Sequence, residues 1–142
     1  MGLPVNSSMK NVTEPSNEYP FVGLEFDIYR NSRQMVDYPD GGHVGIDINS
    51  VNSNIPRPWN SGILEGKVNR AWIRYNSSLK NPNIAFTAYA NDTQEQVISS
   101  LSYLVDRNKY LPDWVVVIFS ASTGGATASH NIASWNITLE VA

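Results

Sequence analysis

From Phe21 onward the chain alternates. Val22, Leu24, Phe26 and Ile28 are separated by Gly23, Glu25, Asp27 and Tyr29, the period of two that gives a strand one apolar and one polar face. The pattern returns where Val44, Ile46 and Ile48 interleave with His43, Gly45, Asp47 and Asn49. Between the two runs lies a polar stretch carrying Asp37, Pro39, Asp40, Gly41 and Gly42. It is longer than a plain hairpin needs, and such connections more often bind than merely space. Further strands are predicted at 68–75, 84–90, 96–103, 115–120 and 132–141, separated by Pro-, Gly- or Asn-rich turns. No segment sustains a helical period, although one short helical turn is expected within 104–114, cut off by Pro112. Many short strands with regular turn signals predict an all-β antiparallel sandwich over residues 21–142. Residues 1–20, with Pro4, Pro15 and Pro20 among Asn, Ser and Glu, read as an extended or mobile lead-in.

Composition narrows the function. The 142 residues hold 10 Lys+Arg against 13 Asp+Glu, a net charge of -3, with 42% hydrophobic positions and no Cys. A chain of this size hides roughly 70% of its unfolded surface on folding, so a core forms without cross-links. No basic stripe is present to neutralise phosphates, which excludes nucleic acid as a partner. No apolar run approaches the ~18 residues needed to span a bilayer. The first residues show no cationic segment followed by an apolar one, so no signal peptide is visible. Five N-x-S/T triplets, at Asn6, Asn11, Asn76, Asn91 and Asn136, nevertheless fit a glycoprotein of the secretory route, extracellular or vacuolar.

The chemistry gathers in the first two strands. Glu25 and Asp27 are two apart on one strand, so their side chains emerge on the same face, opposite the apolar anchors. Neighbouring carboxylates repel, and unless one is protonated the pair asks for a cation. Asn31, Asp37 and His43 follow, offering oxygen donors for a hard ion and one imidazole for a transition metal. On the second strand the small Gly45 beside His43 is expected to leave room for a metal between the strands. Read singly, the two acids are a solvated face and His43 an ordinary strand-end histidine; read together, they form a metal site.

These residues carry a resemblance. Val22-Gly23-Leu24-Glu25-Phe26-Asp27-Ile28-Tyr29-Arg30-Asn31, then Asp37, then His43-Val44-Gly45-Ile46-Asp47-Ile48-Asn49-Ser50 resemble the metal-binding signature of the legume (L-type) lectins. Pro58-Trp59, Ile73-Arg74-Tyr75-Asn76-Ser77, Leu111-Pro112-Asp113-Trp114-Val115, Phe119-Ser120-Ala121-Ser122-Thr123-Gly124 and Ser134-Trp135 follow in the family's order, so the likeness covers residues 20–141. The resemblance implies a concanavalin-like jelly roll, of which this chain corresponds to the C-terminal half, truncated by loss of the N-terminal half. It also implies a manganese ion (Mn2+) held by Glu25, Asp27, Asp37 and His43, and a calcium ion (Ca2+) held by Asp27, Asn31, Asp37 and the Tyr29 carbonyl. The gap from Asn31 to Asp37 is slightly stretched relative to the family, and Asp40 competes for the place of Asp37. Sugar binding would fall to the Asn31 amide, the Tyr29 ring and the backbone amides of Gly125 and Ala126. The loop carrying those amides is similar in length to that of the mannose/glucose-binding group, and also reads as a plain Gly-rich turn.

The family's first half normally supplies an Asp and a Gly to the sugar, and residues 1–20 offer no substitute. With strands of both halves interleaved in the family's sheets, this half alone is expected to expose apolar faces and edges, and hence to form a homo-oligomer or bind a complementing fragment. The resemblance therefore implies a non-catalytic, metal-dependent carbohydrate-binding protein. Two alternatives stay open. One is a lectin-like protein with a degenerate sugar site, acting through protein contacts or in storage or defence. The other is a concanavalin-like glucan hydrolase, whose E-x-D-x-E strand begins like Glu25-Phe26-Asp27 but would need an acid where Tyr29 stands. The ectodomain of a plant receptor kinase resembles the same sequence.

Overall fold

The computed structural model describes residues 19–29, 42–60, 66–76, 78–89, 96–123 and 127–139. The lead-in predicted at 1–20 falls outside them except for Tyr19 and Pro20. Among the described residues six strands form two antiparallel three-stranded sheets. One sheet is ordered β1 (Val22–Asp27), β2 (His43–Ile48), β3 (Ser53–Pro58); the other is ordered β4 (Ala71–Asn76), β5 (Asn81–Tyr89), β6 (Gln96–Ser102). The fold is all-β, as the alternation predicted. Five of the six strands lie on predicted segments.

Alternation also decides what each sheet buries. In β2 the residues Val44, Ile46 and Ile48 point to one side and are buried, and in β5 Ile84, Phe86 and Ala88 do the same. With Leu101, Val105 and Trp59 they make one core cluster spanning both sheets. The contact between sheets is aromatic: Phe26 of β1 meets Trp59 edge-on at 5.1 Å and Phe86 of β5 at 6.1 Å. Such tilted ring pairs add stabilisation beyond their buried area. The Trp59 indole N–H donates to the Thr87 carbonyl at 3.2 Å, so the one polar atom of a buried ring is satisfied on β5.

Local chemistry closes the sheet ends. Asn49 ends β2 with a positive φ of 53°, a conformation asparagine tolerates better than most residues. Its backbone N–H donates to Phe21 O, and its side-chain Oδ1 accepts from Phe21 N at 2.7 Å, so the start of β1 is fastened to the end of β2. After β6, Asp106 caps the single helical turn α1 (Arg107–Tyr110), accepting from Asn108 N through its side chain. Pro112 follows one residue after the last cap, as the sequence predicts.

Two expectations need correction. β3 was not predicted, because Pro56 and Pro58 lie within it and Ile55 has φ 49°. It is tolerated as an edge strand, where proline can turn its missing N–H away from the ladder. Conversely, the described parts of 115–120 and 132–141 form no strand. β-prone composition there supplies the inclination but no ladder, since a strand exists only against a neighbour. The core argument predicts that Phe86→Ala, which removes the ring joining both sheets, costs about 3–5 kcal/mol; urea unfolding of the two chains side by side measures it.

Candidate functional site

The pairing of β1 with β2 sets the site. Asp27 lies opposite His43, Glu25 opposite Gly45 and Gly23 opposite Asp47. Directly paired residues share a face, so Glu25, Asp27, His43 and Asp47 all stand on the side away from the core. Glu25 Oε2 comes within 3.7 Å of His43 Nε2. A carboxylate and an imidazole brought this close are two donors of the kind a transition ion takes. Asp27 Oδ1 accepts from Tyr29 N at 2.7 Å, which folds the chain as it leaves β1 and holds Tyr29 with its ring half exposed. Asn31, Asp37, Gly125 and Ala126, also predicted as site residues, lie outside the described residues. Among the described residues no group of three acids, histidines or cysteines gathers around one point.

β3 adds a residue that the pattern along the chain did not reveal. Ser53 pairs with Asp47, and its Oγ lies 2.8 Å from Glu25 Oε2 and 2.7 Å from Asp47 Oδ1. The space beside Gly45 was expected to be left for an ion; instead the Ser53 side chain fills it. A methyl at Gly45 would overlap both Ser53 Oγ and Cβ, so glycine is needed here for close approach and not for an unusual φ. A register shift between Val44 and Ile46 in the β2–β3 ladder accompanies this approach, and such irregularities re-aim side chains.

The electrostatics follow from one proton count. A serine hydroxyl has a single hydrogen to donate, yet Ser53 Oγ sits within hydrogen-bond distance of two carboxyls. One of these contacts is therefore satisfied only when a carboxyl supplies the proton. Asp47 is the group pushed that way: it is fully buried, and burial first, then the charge of Glu25, raise it from 3.8 to about 7, against the opposing pull of Ser53 and His43. Its second oxygen, Oδ2, is buried and makes no hydrogen bond among the described residues. A buried acid crowded by another acid, with an oxygen left over, is an arrangement that a cation relieves. Of the described residues, Glu25 and His43 are the donors that could hold a divalent ion, with Asp47 and Ser53 behind them. Asp47 was visible in the alternation His43-x-Gly45-x-Asp47 as a polar residue on the site face; Ser53 depends on the pairing of β3 and left no mark in the sequence.

Comparison with known proteins identifies the class. The legume lectin domain family matches residues 1–142, and the chain belongs to that family. A galactose-binding lectin of Arachis hypogaea is 41% identical over 83% of this chain and 40% of its own. Agglutinin-2 of Cladrastis kentukea is 39% identical over 80% of this chain and 37% of its own. An L-type lectin-domain containing receptor kinase, IX.1, of Arabidopsis thaliana is 33% identical over 94% of this chain and 21% of its own. The chain therefore spans less than half the length of these curated relatives.

Two outcomes follow from the site. In chelated buffer, an acid whose folded value is raised contributes stability that is full below its unfolded value and is lost as pH rises toward the folded one. Between about pH 4 and pH 7 the native chain should lose stability relative to Asp47→Asn, by an amount on the order of 3–4 kcal/mol for a shift of this size, read as diverging melting temperatures. Gly45→Ala should cost about 1–3 kcal/mol by overpacking, and adding Ser53→Gly to it should restore most of the loss, as denaturant titration of the single and double variants would report.

Proposed function

We propose that the chain binds carbohydrate in a metal-dependent, non-catalytic manner, as a lectin of legume type. The observation that carries this reading is the 3.7 Å approach of Glu25 to His43 across paired strands, on a face where the buried Asp47 is crowded by Glu25. In this proposal Glu25, Asp27, Asp37 and His43 hold Mn2+, while Asp27, Asn31, Asp37 and the Tyr29 carbonyl hold Ca2+. The ions would supply fixed positive charge that keeps the acids ionised and the loop between β1 and β2 in one shape. The chain's own groups would then do the recognising. The Asn31 amide would donate to a sugar hydroxyl while its carbonyl stays with calcium, the Tyr29 ring would offer an apolar platform, and the backbone amides of Gly125 and Ala126 would meet the sugar ring.

No second carboxylate is proposed to act as an acid. Tyr29 occupies the position where a glucan hydrolase of this strand pattern would need one, and glycoside hydrolysis requires both a proton donor and a second carboxylate. The sugar class we propose is mannose/glucose, and a galactose-binding relative makes galactose the necessary comparison. Asn76 and Asn136 are exposed members of the five sequons, which supports a secreted or vacuolar glycoprotein. The second reading, a lectin-like chain that binds no sugar, is favoured by one fact: among the described residues no group of three acids, histidines or cysteines gathers around one point.

The test begins with melting curves in Ca2+ plus Mn2+ against chelator. A ligand at a hundredfold excess over its Kd adds about 2.7 kcal/mol, so the native chain should melt several degrees higher with the ions, and Glu25→Gln or His43→Ala should abolish the rise. Loss of the ion effect in the native chain would remove the physical basis of the site. Binding of mannose, glucose or galactose to the ion-loaded chain, absent in chelator, distinguishes a working lectin from the sugar-free reading.

A further inference from the structure

The outer face of the second sheet carries a group of side chains that the ion site does not use. β5 sends Ile84, Phe86 and Ala88 into the core, so its register with β4 puts Trp72, opposite Ala85, and Arg74, opposite Asn83, on the other side. The ladder runs one residue further, with Thr87 N donating to Arg70 O at 2.9 Å. Arg70 therefore falls on the same face as Trp72. Trp72 is 51% exposed, and both arginines are exposed as well. Neither guanidinium makes an ion pair among the described residues. β6 completes the ledge, with Ser102 beyond Asn83 and Ser100 beyond Ala85. Asn83, Ser100 and Ser102 are exposed, and their side chains make no hydrogen bond among the described residues.

We propose that this face binds an acidic polysaccharide, one sugar lying on the Trp72 ring and the carboxylates of its neighbours along the glycan meeting Arg70 and Arg74. Residues two apart on an extended strand are about 7 Å apart, so a cation stands on each side of the indole. Each guanidinium is a planar fork that matches the two oxygens of a carboxylate. The small Ala85 and Ser100 leave the ring open along the sheet, and the amide of Asn83 with the hydroxyls of Ser100 and Ser102 can donate to and accept from sugar hydroxyls. Charge is complementary on a larger scale too. Residues 66–111 hold six of the ten Lys+Arg and three of the thirteen Asp+Glu, a net +3 in a chain whose net charge is -3. Two cations do not make the stripe that a nucleic acid backbone needs, and a second copy turned against this face would set arginine against arginine. Glu25 and His43 lie on the other sheet. The inference does not rest on the ion-dependent reading, and either stands if the other fails.

Calorimetric titration of the full chain with oligogalacturonate tests this, with chelator present throughout so that the ion site is empty and no calcium bridges acid to acid. Binding is expected at low salt and should weaken by about tenfold or more in about 0.5 M salt. The methyl-esterified oligomer, which keeps the sugars and loses the charge, should bind about tenfold more weakly or worse. Arg74→Gln should weaken binding of the acid form by about tenfold or more, and Trp72→Ala by a similar factor, each with the far-ultraviolet circular dichroism of the native chain. No binding by the native chain, equal binding of the methyl ester, or an affinity that survives both substitutions overturns the proposal. Preference for phosphatidylserine vesicles over the oligomer overturns it equally, as does sedimentation showing a dimer that Trp72→Ala dissolves.

Discussion

The in-register pairing of β1 with β2 is the constraint on which both halves of this molecule depend. One alignment, Asp27 against His43 and Val22 against Ile48, sends Phe26, Val44, Ile46 and Ile48 into the core and Glu25, Asp27, His43 and Asp47 to the opposite side. A slip of one residue would exchange the two sets and destroy core and site together. The core therefore guards the geometry of the site: the rings of Phe26, Trp59 and Phe86 hold the register, and the register holds the acids beside the imidazole. Asn49, which fastens the end of β2 to Phe21 through its backbone and its side chain, secures the same alignment from the far end.

Electrostatics gives that alignment a cost. A fully buried Asp47, a second acid beside it and one shared serine hydroxyl are poor company at neutral pH, and no packing argument recommends them. In the metal-dependent function proposed above, the arrangement would serve as the scaffold of an ion site, where local stability is surrendered for a fixed set of donors. The chain belongs to the legume lectin domain family, and the two lectins compared above are longer than it by more than a factor of two.

The sequence disclosed the parts of this structure that depend on one strand at a time. Alternation in 22–28 and 43–49 is enough to place Glu25, Asp27 and His43 on one face, because a strand fixes its own faces. What depends on a neighbour was hidden. β3 contains two prolines and a positive φ, and only its position at the edge of β2 makes it a strand; Ser53 reaches the site through that pairing alone. The same limit runs the other way at 115–120, where the composition is strongly β-prone and no strand results, because pairing needs a second set of backbone groups. Close approach was equally invisible, so Gly45 read as empty space when it is where the Ser53 side chain lies.

The four tryptophans occupy very different surroundings, and this makes the molecule its own optical reporter. Trp59 is enclosed between the sheets with its N–H held by Thr87, whereas Trp114 is almost wholly in water. A soluble quencher would therefore reach Trp114 freely and Trp59 scarcely at all. Emission from the sheltered indole would register opening of the sandwich, and that from the wet one would register whatever comes to lie against it.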